Sequence, residues 1–113
     1  MCDENKLKTI CELSSKKMRE IFGEKLISVI LYGSYARGDY DHESDIDVMA
    51  LVDMENLELE KYSWEISSFM SDIDLEYCVF LSIKLQDKAT FDKWQYTLPY
   101  FINVKKEGVI INV

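Results

Sequence analysis

From about Glu4 to Phe22 the residues Leu7, Ile10, Cys11, Ser14, Met18, Ile21 and Phe22 recur at steps of three and four, with Lys, Arg and Glu between them. That period predicts an amphipathic helix, ended at Gly23. The pattern then changes character. Leu26 to Tyr32 is a nearly continuous apolar run, rich in β-branched residues and bounded by glycines, as expected of a central strand buried on both faces. Residues 33–44 are polar, glycine-punctuated and without period, and Asp45 to Val52 is apolar apart from two acids at its start. A loop therefore leads into a second strand.

Leu59, Tyr62, Ile66, Phe69 and Met70 form a helical stripe around Leu57 to Met70. From Ile73 to Ile83 the apolar positions alternate, with Leu75, Tyr77, Val79, Leu81 and Ile83 on one face, which predicts a third strand. Asp87 to Tyr96 reads as a last helix stopped by Pro99, followed by the run Tyr100 to Val104 and a basic-acidic turn at Lys105 to Gly108. The order of helix, strand, strand, helix, strand and helix predicts an α/β fold, a short mixed sheet flanked by helices. Strand order stays open.

A chain of 113 residues is the size of one domain, 1–113, with no room for a separate substrate lobe. Thirteen Lys and Arg against 21 Asp and Glu leave a formal charge of -8, which repels a phosphate backbone and makes long nucleic acid a poor partner. Three cysteines, Cys2, Cys11 and Cys78, show no paired spacing, and the odd count suits a reducing cytoplasm. No apolar stretch approaches the length of a membrane span, and the first residues lack the layout of a signal peptide.

The chemistry concentrates in two short motifs. Asp45 and Asp47 are two apart on a predicted strand, so both carboxylates project from one face and can share metal ions. Magnesium favours carboxylate and phosphate oxygens, and two-metal sites hold their ions roughly 3.5–4 Å apart. Gly33 and Ser34 lie where a strand meets a short helical turn, a place where backbone N–H groups accept an anion and glycine lets a phosphate approach. Arg37 stands three residues on, able to aim a guanidinium at the same oxygens, and Gly38 lets the chain turn back toward the acids.

Gly33-Ser34, ten intervening residues, then Asp45-x-Asp47, with Ala36-Arg37-Gly38 inside and Ser44 just before, closely resembles the minimal nucleotidyltransferase (MNT) family of the polymerase-β-like superfamily. The resemblance implies that fold, a nucleotide site at Gly33, Ser34, Arg37 and Ser44, and two Mg2+ ions on Asp45, Asp47 and a third carboxylate from a later strand. Asp74 and Glu76 are the two candidates: Asp74-Leu75 matches the family's usual Asp-Leu more closely, whereas Glu76 lies deeper in the predicted strand and is preferred by a small margin. The activity implied is transfer of a nucleoside monophosphate, AMP from ATP, to a hydroxyl with release of pyrophosphate.

In one branch of that family the stand-alone domain is the antitoxin of a helical HEPN-type toxin, and the tail Leu98 to Gly108 resembles the ending of such proteins. The acceptor implied is a hydroxyl, tyrosine foremost, on that partner. Two alternatives stand beside it: a non-catalytic antitoxin that binds its partner by contact alone, and nucleotidylation of a small molecule such as an aminoglycoside with a separate helical subunit. A homo-oligomer is left open. His42 reads as a solvated loop residue, Cys78 as a small packed strand residue, and Trp64 and Trp94 as core or interface anchors. Tyr35 and Tyr40 flank the phosphate loop, and either stacks on a base or packs over the cleft.

Overall fold

A computed structural model describes residues 4–39 and 44–111. Helix α1 (Glu4–Phe22) carries the amphipathic stripe and turns through one 3-10 turn at Gly23–Lys25 into strand β1 (Leu26–Tyr32). A single helical turn, α2 (Ser34–Arg37), follows at once, and β2 (Ile46–Val52) comes back alongside β1. Next come α3 (Asn56–Leu59), a 3-10 turn and α4 (Ser63–Tyr77), then β3 (Leu81–Asp87), α5 (Lys88–Trp94), α6 (Pro99–Glu107) and the short β4 (Val109–Ile110).

The strands form one sheet in the order β3-β2-β1-β4. β1 runs antiparallel to β2, with Tyr32 opposite Asp47 and Leu31 opposite Val48, and antiparallel to β4. β3 runs parallel to β2, with Asp47 opposite Ser82 and Met49 opposite Lys84. A parallel neighbour needs a long crossover, and α3 and α4 supply it. The sheet is therefore mixed.

Alternation along the strands sorts their side chains into two layers. Val29 and Leu31 of β1, Ile46, Val48, Ala50 and Val52 of β2, and Leu81 and Ile83 of β3 pack with Ile10, Met18 and Phe22 of α1 and Ile66 and Ile73 of α4. The opposite face carries Ile30, Met49 and Leu51 beneath Phe91 of α5 and Phe101 and Val104 of α6. Each of these side chains larger than Ala50 contributes about 1.5–3 kcal/mol on full burial. Gly108 closes the second layer: a Cβ there would come within 2.3 Å of the Val104 carbonyl oxygen and 2.5 Å of Ile30 Cγ2.

The third strand departs from expectation. Ile73 to Tyr77 belongs to α4, and the strand begins eight residues later, at Leu81. The alternation of Leu75, Tyr77 and Val79 is coincidental, because Ile66, Ile73 and Tyr77 also fall on a helical period and burial of that stripe against the first layer wins; Leu75 is 82% exposed. The helix ends at Cys78, whose left-handed φ of 55° lets its N–H reach the Asp74 carbonyl. Cys78 is accordingly exposed rather than packed inside a strand. Pro99 does not stop α5, which ends earlier; it opens α6 at the first-turn position where its missing N–H costs nothing. Trp64 is exposed, and Trp94 packs on the second layer.

Candidate active site

The second layer covers only part of its sheet face. Toward the C-terminal end of β1 and the start of β2, Tyr32 and Asp47 occupy the face that Ile30, Met49 and Leu51 occupy farther on. Asp45, just before β2, shares that alternation and is exposed. Asp47 is on β2 and Asp45 immediately precedes it, close enough for its charge to act on Asp47.

Gly33 fixes the loop against them. It caps α2 with φ 76° and ψ -156°, a backbone state that L side chains rarely adopt. A Cβ at this position would lie 2.5 Å from Asp47 Oδ2. The start of the Ser34 turn is thus laid directly on the Asp47 carboxylate, and only glycine allows that distance. The Gly33 carbonyl accepts from the Ala36 and Arg37 N–H groups at 3.1 Å, closing the turn, and Gly38, at φ 84°, ends it. N–H groups at the start of such a turn have no partners within the turn itself and point outward.

The charges around Asp47 are mixed. Burial, followed by the neighbouring Asp45 charge, pushes the Asp47 carboxyl above the usual carboxylate range, while Lys84 and Arg37 pull it back. Tyr32 and Tyr100 share a hydrogen bond of 2.9 Å beside it, with their rings edge to face at 5.8 Å. Burial, the Tyr100 hydrogen bond and the Asp47 charge hold the Tyr32 hydroxyl far above its ordinary range, so it stays protonated. Burial likewise raises Tyr100. The Lys84 ammonium lies 5.2 Å from the centre of the Tyr100 ring, within cation–π range.

Other expected residues fall elsewhere. Arg37 pairs with Asp39 at 3.1 Å and with Glu107 of α6 at 3.2 Å, so its guanidinium ties α2 to the last helix while its charge still acts on Asp47. Ser34 and Ser44 are half-buried near the acids in sequence. Asp74 and Glu76 are on α4, not on a strand beside β2. Asp74 Oδ1 accepts the Leu81 N–H at 2.7 Å and so anchors the start of β3, and Glu76 is exposed. Among the described residues no three His, Cys, Asp or Glu side chains form a group able to hold a metal ion, so the set Asp45, Asp47 and Glu76 does not assemble. Tyr35 is buried in the first layer, whereas Tyr40 and His42 lie outside the described residues.

Ser82, Lys84, Tyr32 and Tyr100 were not singled out from the sequence. The signal for Ser82 and Lys84 was their place on the strand paired with Asp47, hidden by reading that strand eight residues too early. Two neighbouring carboxylates are a donor set that suits one hard divalent cation, the rest of whose shell would come from other oxygens.

Comparison with known proteins shows the family and the fold. A protein-family model described as a nucleotidyltransferase domain matches residues 12–100. Two Methanocaldococcus jannaschii proteins, each named "putative protein adenylyltransferase", are similar: one is 43% identical over 67 residues, covering 59% of this chain and 66% of its own length. The other is 30% identical over 87 residues, covering 77% of this chain and 79% of its own length. The chain thus spans just under two thirds of the first of these relatives. A solved toxin–antitoxin structure with AMP-PNP shares the fold at a TM-score of 0.52 and 22% identity, over 88% of this chain and 71% of that one. No helix among the described residues is long and apolar enough to cross a membrane. With that family model matching residues 12–100, well over half of its length, the chain belongs to the nucleotidyltransferase domain family.

Proposed function

We propose that this protein transfers AMP from ATP to a hydroxyl group on a partner protein. The single observation that carries the reading is the close approach of Gly33 to Asp47, which lays the glycine turn against that carboxylate. The names of the similar adenylyltransferases supply the nucleotide and the protein acceptor. The family resemblance supplies the class of partner, a HEPN-type helical toxin for which this chain is the antitoxin, in the cytoplasm. An acid exposed at the surface, as Asp45 is, suits an acceptor presented by another chain.

In this reading the turn at Gly33 and Ser34 holds the β- and γ-phosphates through backbone N–H groups and the serine hydroxyl. Arg37 reaches those phosphates by exchanging its surface pairs with Asp39 and Glu107 for the nucleotide. Asp45 and Asp47 hold Mg2+, which when bound neutralises charge on the reacting phosphates. The acceptor oxygen forms a bond to the α-phosphorus as the bond from that phosphorus to the bridging oxygen breaks, and pyrophosphate leaves. One carboxylate of the pair takes the proton of the acceptor hydroxyl. The hydrogen-bonded Tyr32 and Tyr100 stay uncharged beside Asp47.

The test is to incubate the full chain with Mg2+, labelled ATP and a HEPN-type helical protein from the same source. Label on the partner, lost with Asp45→Asn and with Asp47→Asn, is the expected result. A tight complex without label from any triphosphate refutes transfer. One observation favours that second reading, a module that neutralises its partner by contact alone: the described residues bring no third carboxylate to the pair.

A further inference from the structure

The strand next to the acid pair presents a serine and a lysine where a third acid would have to stand. β3 runs parallel to β2, with Asp47 opposite Ser82 and Met49 opposite Lys84. Leu81 and Ile83 of β3 face the first layer, so alternation turns Ser82 and Lys84 to the face of Asp47. Among the described residues, the carboxylates nearest β3 in sequence are engaged or remote. Asp74 is bound to the Leu81 N–H across the other layer, and Asp87, at the far end of β3, caps α5 by accepting the Thr90 N–H at 2.9 Å.

Lys84 is joined to the acid by a chain of contacts from three elements. Its ammonium lies 5.2 Å from the Tyr100 ring centre, the Tyr100 hydroxyl is 2.9 Å from that of Tyr32, and Tyr32 stands opposite Asp47 across β1 and β2. The aromatic ring of α6 keeps the lysine on the rim of the site. Two carboxylates and one ammonium sum to a single net negative charge. That suits one divalent cation, whereas a second one set between Asp47 and β3 would meet an ammonium in place of a ligand.

We propose that Lys84 takes the place of the third carboxylate and the cation it would hold: Asp45 and Asp47 bind one divalent cation, and the Lys84 ammonium meets the nucleotide phosphates directly. This rests on the nucleotidyltransferase reading above. Lys84 is then a binding residue for the triphosphate, and its contribution is electrostatic, so it is retained by arginine and lost with an uncharged side chain.

The experiment titrates Mn2+ and a non-hydrolysable ATP analogue into the full chain, held in excess over nucleotide, and counts bound Mn2+ by electron paramagnetic resonance. One Mn2+ per nucleotide complex is expected. Lys84→Met is expected to weaken the analogue about tenfold, with Lys84→Arg restoring most of the loss. Lys84 is exposed, so both variants should unfold like the parent chain, which a thermal melt verifies. Two Mn2+ ions with tightly bound nucleotide, or unchanged affinity in Lys84→Met, overturns this proposal and leaves the family activity standing. Failure of the parent chain to bind the analogue at all removes both.

Discussion

The two faces of β2 hold neighbouring residues to opposite purposes. Ile46, Val48, Ala50 and Val52 are fully buried against α1 and α4, while Asp45 and Asp47, interleaved with them, face a half-open surface rimmed by Tyr32, Tyr100 and Lys84. The first face is uniform, and the second changes from Met49 and Leu51 under α5 and α6 to the acids at its end. The difference teaches how so small a domain positions charge. The apolar face anchors the strand, and the period of two then delivers its carboxylates to the other side without further support. What steadies Asp47 is local: a glycine turn in contact with its oxygen.

The largest effect on this comparison should come from Ile46→Ala, which opens a cavity on the apolar face. It should cost about 2–5 kcal/mol of stability, read by chemical denaturation, while the nucleotide affinity of the folded fraction is retained. A loss of less than about 1 kcal/mol would show that the buried face does not anchor β2.

Gly33→Ala attacks the other face. The added Cβ meets Asp47 Oδ2 in a backbone state unfavourable to alanine, at a cost of about 1–3 kcal/mol. Nucleotide affinity should fall further than stability, because the turn must leave the carboxylate. Equal losses in both would mean that Gly33 serves the fold alone.

The smallest effect is a pH-dependent one. Burial and Asp45 raise the Asp47 pKa in the folded chain, so the stability linked to its protonation is fully present below the unfolded value of about 3.9 and is lost as pH rises through the folded value. Asp47→Asn, in a metal-free buffer, should therefore melt slightly above the parent chain at neutral pH, and the gain should vanish below about pH 4. A variant less stable than the parent at neutral pH would contradict burial as the cause.

Much of this arrangement was legible in the chain before folding. The helix Glu4–Phe22 and the strand Leu26–Tyr32 are read with their observed ends, since each has an uninterrupted period closed by glycine. The nearness of Asp45 to Asp47 follows from spacing alone. Residues 73–83 misled because Tyr77 satisfies a period of two and a period of 3.6 at once, and local sequence has no means to choose. The two-residue β4 was also hidden, because its pairing with Ile30 and Leu31 is set by the distant turn at Gly108.

By itself, then, the sequence determined the α/β class, the first helix, two central strands and the acid pair, because periodicity and motif spacing act over a few residues. Tertiary structure decided which residues stand beside that pair. The partner of Asp47 on β3 is set by the register of two strands joined through some 28 residues of crossover. Packing of α4 on the first layer placed that register at Ser82 and Lys84, and packing of α6 on the second brought Tyr100 to Tyr32. Spacing within one strand is a covalent matter; company across strands is decided by which apolar stripes are buried together.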